Sequence, residues 1–293
     1  MIVIRGLVRL IGFIIKWILE SIIFLALFGA CVFVYARYIE PKLLVVHEET
    51  LLYNNRGTNI KPLTLVQFSD THLGKDYTLE DFDRVIDKIN ESNPDIIVFT
   101  GDLIDSHAEN NDIEAIIARL KRLQAKRCKV AVYGNHDHGA NGTKRYQKIM
   151  EAAGFTLLTN ANQTVDLGNG QKMNIMGIDD VLLGKPDIKK ATQTIKAKDY
   201  NLLIVHEPDI ADELKAYPID LQLSGHSHGG QVALPFIGAL ITPPYADKYV
   251  KGMYNIAGND RMKLYVNSGI GTSNARYRLL NVPQITVFHL EFE

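Results

Sequence analysis

Five of the nine histidines in this 293-residue chain stand just past short apolar runs that read as β-strands. His72 follows the run 63–69, His136 follows 129–133, His206 follows 202–205, and His226 and His228 follow 221–223. Asp70 and Asn135 share these loops, and Asp102 follows a further run at 95–100. In α/β folds the loops at strand carboxyl ends gather on one edge, which is where such folds bind their ligands. Loops that bring only Asp, Asn and His supply the mixed oxygen and nitrogen donors of a divalent-metal centre. Taken singly the pieces are weak, since a lone Asp-x-His is ordinarily a surface turn. The pair His226/His228 is stronger, because alternate residues of an extended chain point the same way. Together they require a fold that brings five distant loops to one point.

Helix-like segments at 79–92, 113–124 and 144–153 lie between the first runs. This βαβα rhythm predicts a sheet flanked by helices. Past residue 160 the pattern changes. Runs at 165–166 and 172–178 flank a turn at 168–170 and predict a hairpin. Strands at 202–205, 221–223, 264–267 and 285–292 fill a helix-poor remainder. The stretch 42–62 reads as a polar-to-mixed lead-in with a turn signal at Asn54-Asn55-Arg56-Gly57. No internal repeat or linker interrupts residues 43–293, which read as one α/β domain.

The N-terminus is different in kind. Residues 10–36 carry only Lys16 and Glu20, and no charge occurs from 21 to 36. Trp17 and Tyr35 bracket a span of about 27 Å at about 1.5 Å per residue, against a bilayer core of about 30 Å. Aromatic residues at both ends suit the two interfaces. Residues 1–42, closed by Pro41, therefore read as a single transmembrane anchor and lead-in, in preference to a buried amphipathic helix or a cleaved signal peptide. Arg5, Arg9 and Lys16 before the span outnumber Arg37 and Lys42 after it. That bias predicts a cell-membrane protein with its N-terminus inside and its folded domain outside the cytoplasm.

Charge and cysteine content exclude other classes. The first 42 residues are net +3, which leaves the remaining 251 at −4. A mildly acidic domain lacks the basic footprint of a nucleic-acid binder, so no nucleic-acid partner is expected. Cys31 and Cys128 can form neither a disulfide framework nor a cysteine zinc site, and neither sits in a nucleophile setting. A serine or cysteine hydrolase is disfavoured.

The blocks Asp70-Thr71-His72, Gly101-Asp102-Leu103-Ile104-Asp105, Gly134-Asn135-His136-Asp137, Val205-His206-Glu207 and Gly225-His226-Ser227-His228 resemble those of the calcineurin-like metallophosphoesterases. The run from Gly225 to Gln231, followed by an apolar stretch at 234–244, is most similar to their bacterial membrane-associated branch. The resemblance implies an α/β fold, a four-layer α-β-β-α sandwich with a two-metal site at one edge of the sheets. It implies one divalent ion on Asp70, His72, Asp102 and His228, and a second on Asp102, Asn135, His206 and His226. Asp102 is then shared. A hydroxide between the ions would attack phosphorus in line. His136 would act as general acid, with Asp105 orienting its other nitrogen. The donor set favours Mn, Fe or Zn, with Mg less favoured.

One departure bears on substrate. The protein phosphatases of that family carry an Arg after the second Asp of the Gly-Asp block, whereas Ser106-His107 follow Asp105 here. This counts against phosphoprotein substrates. Arg276 and Arg278 could add positive charge to the site, although surface arginines are the commoner reading. His107 and His138 read as solvent-facing rim residues, and His47 and His289 as structural ones. The apolar stretch 231–254 reads as a hairpin packed over the core or, more sharply, as a lid that touches lipid beside the site. A membrane-anchored two-metal phosphoesterase is expected, acting on a phosphate ester that is amphiphilic, such as a phospholipid or a lipid-linked phosphate. The alternatives are a phosphodiesterase for a soluble nucleotide-like ester and a membrane-tethered binding module on a silent phosphoesterase fold.

Overall fold

The computed structural model, which describes residues 2–53, 60–109, 112–168 and 170–292, opens on a 33-residue helix, α1 (Ile2–Val34). Every residue from Ile4 to Cys31 is exposed, so the apolar surface runs all round the helix and packs on nothing else in the protein. The segment Ile4–Lys42 is long and apolar enough to cross a bilayer by length and composition. The helix widens into a π turn at Tyr35–Ile39 and then tightens into a 3₁₀ turn at Glu40–Lys42. Pro41 ends it there by removing a backbone donor.

The rest of the chain begins with β1 (Val45–Tyr53), β2 (Leu63–Phe68), α2 (Leu79–Glu91) and β3 (Ile96–Phe99). There follow α3 (Ile113–Leu120), β4 (Cys128–Ala131), α4 (Asn135–His138), α5 (Thr143–Ala152) and β5 (Thr156–Leu157). The second half holds β6 (Ala161–Gly168), β7 (Gln171–Gly177), α6 (Ile188–Thr192), β8 (Tyr200–Ile204) and β9 (Leu221–Ser224). It closes with β10 (Ala233–Leu234), β11 (Gly238–Ala239), β12 (Gly252–Asn255), β13 (Lys263–Val266) and β14 (Gln284–Phe292). One six-stranded sheet has the order β1-β14-β2-β3-β4-β5, and a second has β12-β13-β9-β8-β7-β6. Strands β2 to β5 run parallel in the first, and β7, β8, β9 and β13 run parallel in the second.

The strands are apolar on both faces, and the period of two sends alternate residues to different layers. Val66, Phe68, Ile97 and Phe99 point to α2, α3 and α5, where they meet Phe82, Ile86, Ile116 and Tyr146. Leu65, Ile96, Val98 and Val130 face the other way, onto Ile175, Leu202, Ile204 and Leu223 of the second sheet. The outer face of that sheet, with Leu203, Val205 and Leu264, is covered by Ile210, Leu214 and Ile219. The result is the four-layer α-β-β-α sandwich the resemblance implies. Local signals agree with it: Thr78 and Asp81 form a capping box at the start of α2.

Two parts differ from the sequence expectation. The lead-in 42–62 contains β1, an edge strand paired in parallel with β14 from Val45↔Gln284 to Tyr53↔Phe292. Of its nine residues only Leu51 is buried, so it lacks the apolar pattern that marks the inner strands. The hairpin of β6 and β7 forms as expected but is longer, with a register shift near its turn. The turn signal at Asn54-Asn55-Arg56-Gly57 and Asn169 of the hairpin turn lie outside the described residues.

Candidate metal centre

The parallel strands β2, β3 and β4 of one sheet and β8 and β9 of the other end at the same edge. There the sheets are joined: Gln67 Nε2 donates to the Ser224 carbonyl at 3.0 Å, and His206 Nδ1 donates to the Thr100 carbonyl at 2.6 Å. Each chain must turn at once to aim its next side chain inward. Asp70, His72, Asp102, His226 and His228 consequently hold positive φ, from 43° to 66°. Non-glycine residues in that region cost about 1–3 kcal/mol each and persist only where the surroundings fix them. The strain sits on five of the seven residues that the resemblance names as metal ligands.

The loops after β3 and β4 touch. A Cβ on Gly134 would overlap Oδ1 of Asp102, and Gly101 holds a φ of 98° against the Gly134 backbone. This close approach lets the His136 backbone N–H donate to Asp102 Oδ1 at 2.9 Å. Asp137 locks the arrangement by accepting from the backbone N–H groups of Asp102, Leu103 and Gly134 at 2.8–3.0 Å. Sequence reading gave Asp137 no role, although it lies inside the same block. Asp70 in turn accepts from the His226 N–H at 3.1 Å, which ties β2 to β9.

The donor atoms converge. His72 Nε2 and His228 Nε2 face each other at 3.0 Å, and Asp102 Oδ2 lies 3.4 Å from His72 Nε2 and 3.3 Å from His206 Nε2. Asp70 Oδ1 is 3.5 Å from His228 Nε2 and 3.9 Å from His206 Nε2. Asp70, His72 and His228 form one group whose donor atoms could hold an ion, and Asp70, Asp102 and His206 form another. A third contains His72, Asp102 and His136. His226 reaches the same edge with its Nε2 donating to the Pro244 carbonyl at 3.0 Å, which leaves the lone pair on Nδ1.

All of this is buried. Burial drives the imidazole pKa of His72 down to about 3 and that of His226 to about 4, and it holds His228 well below its ordinary value with help from His72 and Arg278. Neutral imidazole is the form that binds metal. Burial, with Asp102 close by, raises the Asp70 carboxyl to about 6. Burial opposes charge on Asp102 too, but His206 and His136 outweigh it and hold that carboxyl well below the usual range. Asn135 Oδ1 is buried without any hydrogen-bond partner, and His206 Nε2 faces the Asp102 carboxylate, which, against burial, raises its pKa well above the ordinary value. Buried polar atoms are normally paired. Divalent cations would satisfy these two and relieve the crowding of His72 against His228, so the residues fit a metal.

His136 stands beside this cluster with Nδ1 donating to the main-chain carbonyl of Asp105 at 2.6 Å. The expected carboxylate contact is therefore replaced by a backbone one. The Asp105 carboxylate accepts instead from Arg276 Nη2 at 3.0 Å. Burial opposes charge on His136, yet Asp102 and the Asp105 carbonyl raise its pKa above the ordinary value. Its Nε2 lies 3.3 Å from Ser273 Oγ.

Three further readings change. Arg278 is wholly buried, not a surface residue, and donates to the carbonyls of Ser268, Gly271 and Asn281. Arg276 is held by Asp76 and Asp105. His107 is buried rather than at the rim, and His138 is half-buried with Nε2 2.8 Å from Asp179. The string Gly225-His226-Ser227-His228-Gly229 also spells Gly-x-Ser-x-Gly, but its serine hydroxyl donates to the Val250 carbonyl at 2.6 Å and is committed there.

A cleft of about 410 Å³ leads from Asn135, His136 and His228 to Leu240, Ile241 and Tyr277. Its far wall is formed by Val232 and by Leu240, Ile241 and Pro243, which flank the β10–β11 hairpin, and the tip of that hairpin projects away from the core. Phe236 is fully exposed, and Ile237 and Ile241 are 70% and 80% exposed.

The chain is similar to several known proteins. The family model for calcineurin-like phosphoesterases matches residues 63–230. The chain is 44% identical to the metallophosphoesterase YkuE of Bacillus subtilis over 88% of this chain and 89% of that protein. It is 28% identical to LpxG of Chlamydia trachomatis, a UDP-2,3-diacylglucosamine pyrophosphatase, over 89% of this chain and 93% of that one. Among solved structures, TT1561 of Thermus thermophilus aligns with 72% of this chain and 91% of its own at 11% identity and a TM-score of 0.46. The chain belongs to the calcineurin-like phosphoesterase family and is a metal-binding phosphoester hydrolase.

Proposed function

We propose that this hydrolase is anchored in a membrane, uses two divalent ions and cleaves a phosphate or pyrophosphate ester carried on an amphiphile. The observation that carries the reading is the strained, buried convergence of Asp, Asn and His donors at the end of a cleft with an apolar far wall. Asp70, His72, Asp102 and His228 would hold one ion, and Asp102, Asn135, His206 and His226 the other. When bound, the ions supply Lewis-acid polarisation of the phosphoryl oxygens and lower the pKa of an attacking water. Asp102 supplies the shared negative charge. His136 holds its Nδ1–H on the Asp105 carbonyl, so the proton that the ring takes up when it becomes charged goes to Nε2, from which it can pass to the leaving oxygen.

The surroundings of the cleft support an amphiphilic substrate. The 231–279 pairing keeps the apolar hairpin beside the segment that meets the end of the membrane helix: Leu279 N donates to the Gln231 carbonyl at 2.9 Å, and Arg278 N donates to the Ala36 carbonyl at 2.9 Å. Helix exit and exposed hairpin thus lie near one another, as a cleft opening toward lipid requires. The name of the LpxG relative points the same way, since a diacylated sugar nucleotide is a lipid-linked pyrophosphate.

Phe236→Ser combined with Ile241→Ser is expected to slow turnover of a bilayer-presented ester by about tenfold or more in proteoliposomes. Burial of one such side chain in lipid contributes about 1.5–3 kcal/mol. Turnover of a small water-soluble phosphodiester should stay unchanged. Equal rates on the bilayer ester would favour the soluble nucleotide-like substrate instead. The charge bias around the helix supports a domain outside the cytoplasm. Protease added to intact spheroplasts should then trim the domain, and protection until lysis would reverse the topology.

A further inference from the structure

The membrane helix does not end in a free linker. Ala36, Glu40 and Pro41, directly after α1, are buried. The Ala36 carbonyl accepts from Arg278 N, and the Glu40 carboxylate accepts from Leu280 N at 3.0 Å and Asn281 N at 2.5 Å. What they grip is in contact with the metal ligands. The Asn281 side-chain amide donates to the His228 carbonyl. The Arg278 guanidinium donates to the Gly271 carbonyl at 2.7 Å, and Gly271 N donates to the Asp70 carbonyl at 2.7 Å. One chain of contacts leads to His228 and the other to Asp70.

We propose that Glu40 is a positioning residue of the metal site: through Asn281 and the segment 278–281, the membrane-exit turn fixes the loop that carries His228. A plain tether would not require a wholly buried carboxylate at the membrane exit. The role rests on the two-ion reading above, and it concerns chiefly the ion held by Asp70, His72 and His228, because Asn281 grips His228 itself, whereas His226 lies two residues away along the loop. Residues around metal ligands typically change metal affinity by about 10- to 100-fold when replaced.

The test uses the full chain in detergent, titrated with Mn²⁺ against a chelating competitor. Wild type should bind two Mn²⁺, and fewer would overturn the two-ion reading itself. Glu40→Ala should weaken one of the two by about 10- to 100-fold and the other by clearly less. Glu40→Gln should recover part of the loss, because its amide oxygen still accepts one of the two N–H groups. A lower thermal midpoint with both affinities at wild-type strength would mean that Glu40 serves only the fold, and the proposal would be wrong. If Glu40→Ala does not fold, Glu40→Gln alone decides. Weakening of one ion supports the clamp, and two unchanged affinities overturn it.

Discussion

Asp102→Asn is expected to lower turnover by about a thousandfold or more. Asp102 is buried beside His72 and His206, and its Oδ1 also accepts the His136 N–H. Asparagine keeps the shape and could keep that hydrogen bond. It removes the one negative charge that both ions would share, and the flanking imidazoles are neutral or cationic and cannot replace it. At about 4 Å a unit charge pair is worth about 4 kcal/mol at the effective dielectric of a protein site. Steady-state turnover of the purified variant checks this, and wild-type turnover would end the shared-carboxylate assignment.

His136→Ala should behave differently. Its ring is not needed to hold either ion in the proposed assignment, so metal content should stay at the wild-type level. The rate should fall by about 10²–10⁴-fold for alkyl phosphodiesters, which need a proton on the leaving oxygen. Esters with a nitrophenol leaving group need no such help and should lose far less. The ratio of the two losses is the measurement. Equal losses would exclude His136 as the acid and favour the His72, Asp102 and His136 grouping as a metal site.

The parts of this molecule that were legible in the sequence are those in which chemistry dictates residue type. Metal donors must be His, Asp or Asn, and they follow apolar strands, so the edge of the sandwich could be read before any coordinates. The intact set of donors counts against the silent binding module, which has no need to keep every one of them. What the sequence hid were contacts made by backbone or across long separations. A sequence names Asp105 beside His136 but does not separate its carboxylate from its carbonyl. Glu40 and Asn281 are 241 residues apart and carry no pattern that links them. Arg278 looks like any arginine near a turn, and only the fold surrounds it with carbonyls and no solvent. The stretch around Phe236 and Ile241 has a composition that serves equally for a core hairpin or an exposed one, and burial alone separates the two. Strand β1 is an edge strand with one buried residue and so has no period to read.

The central claim is that Asp102 holds two cations at once. Metal analysis of the full-length protein, purified in detergent and saturated with Mn²⁺, tests it most directly when wild type and Asp102→Asn are measured side by side. The expected result is about two ions per wild-type chain and about one or none in the variant. A single ion in wild type, or two ions retained in the variant, would contradict the shared-carboxylate centre.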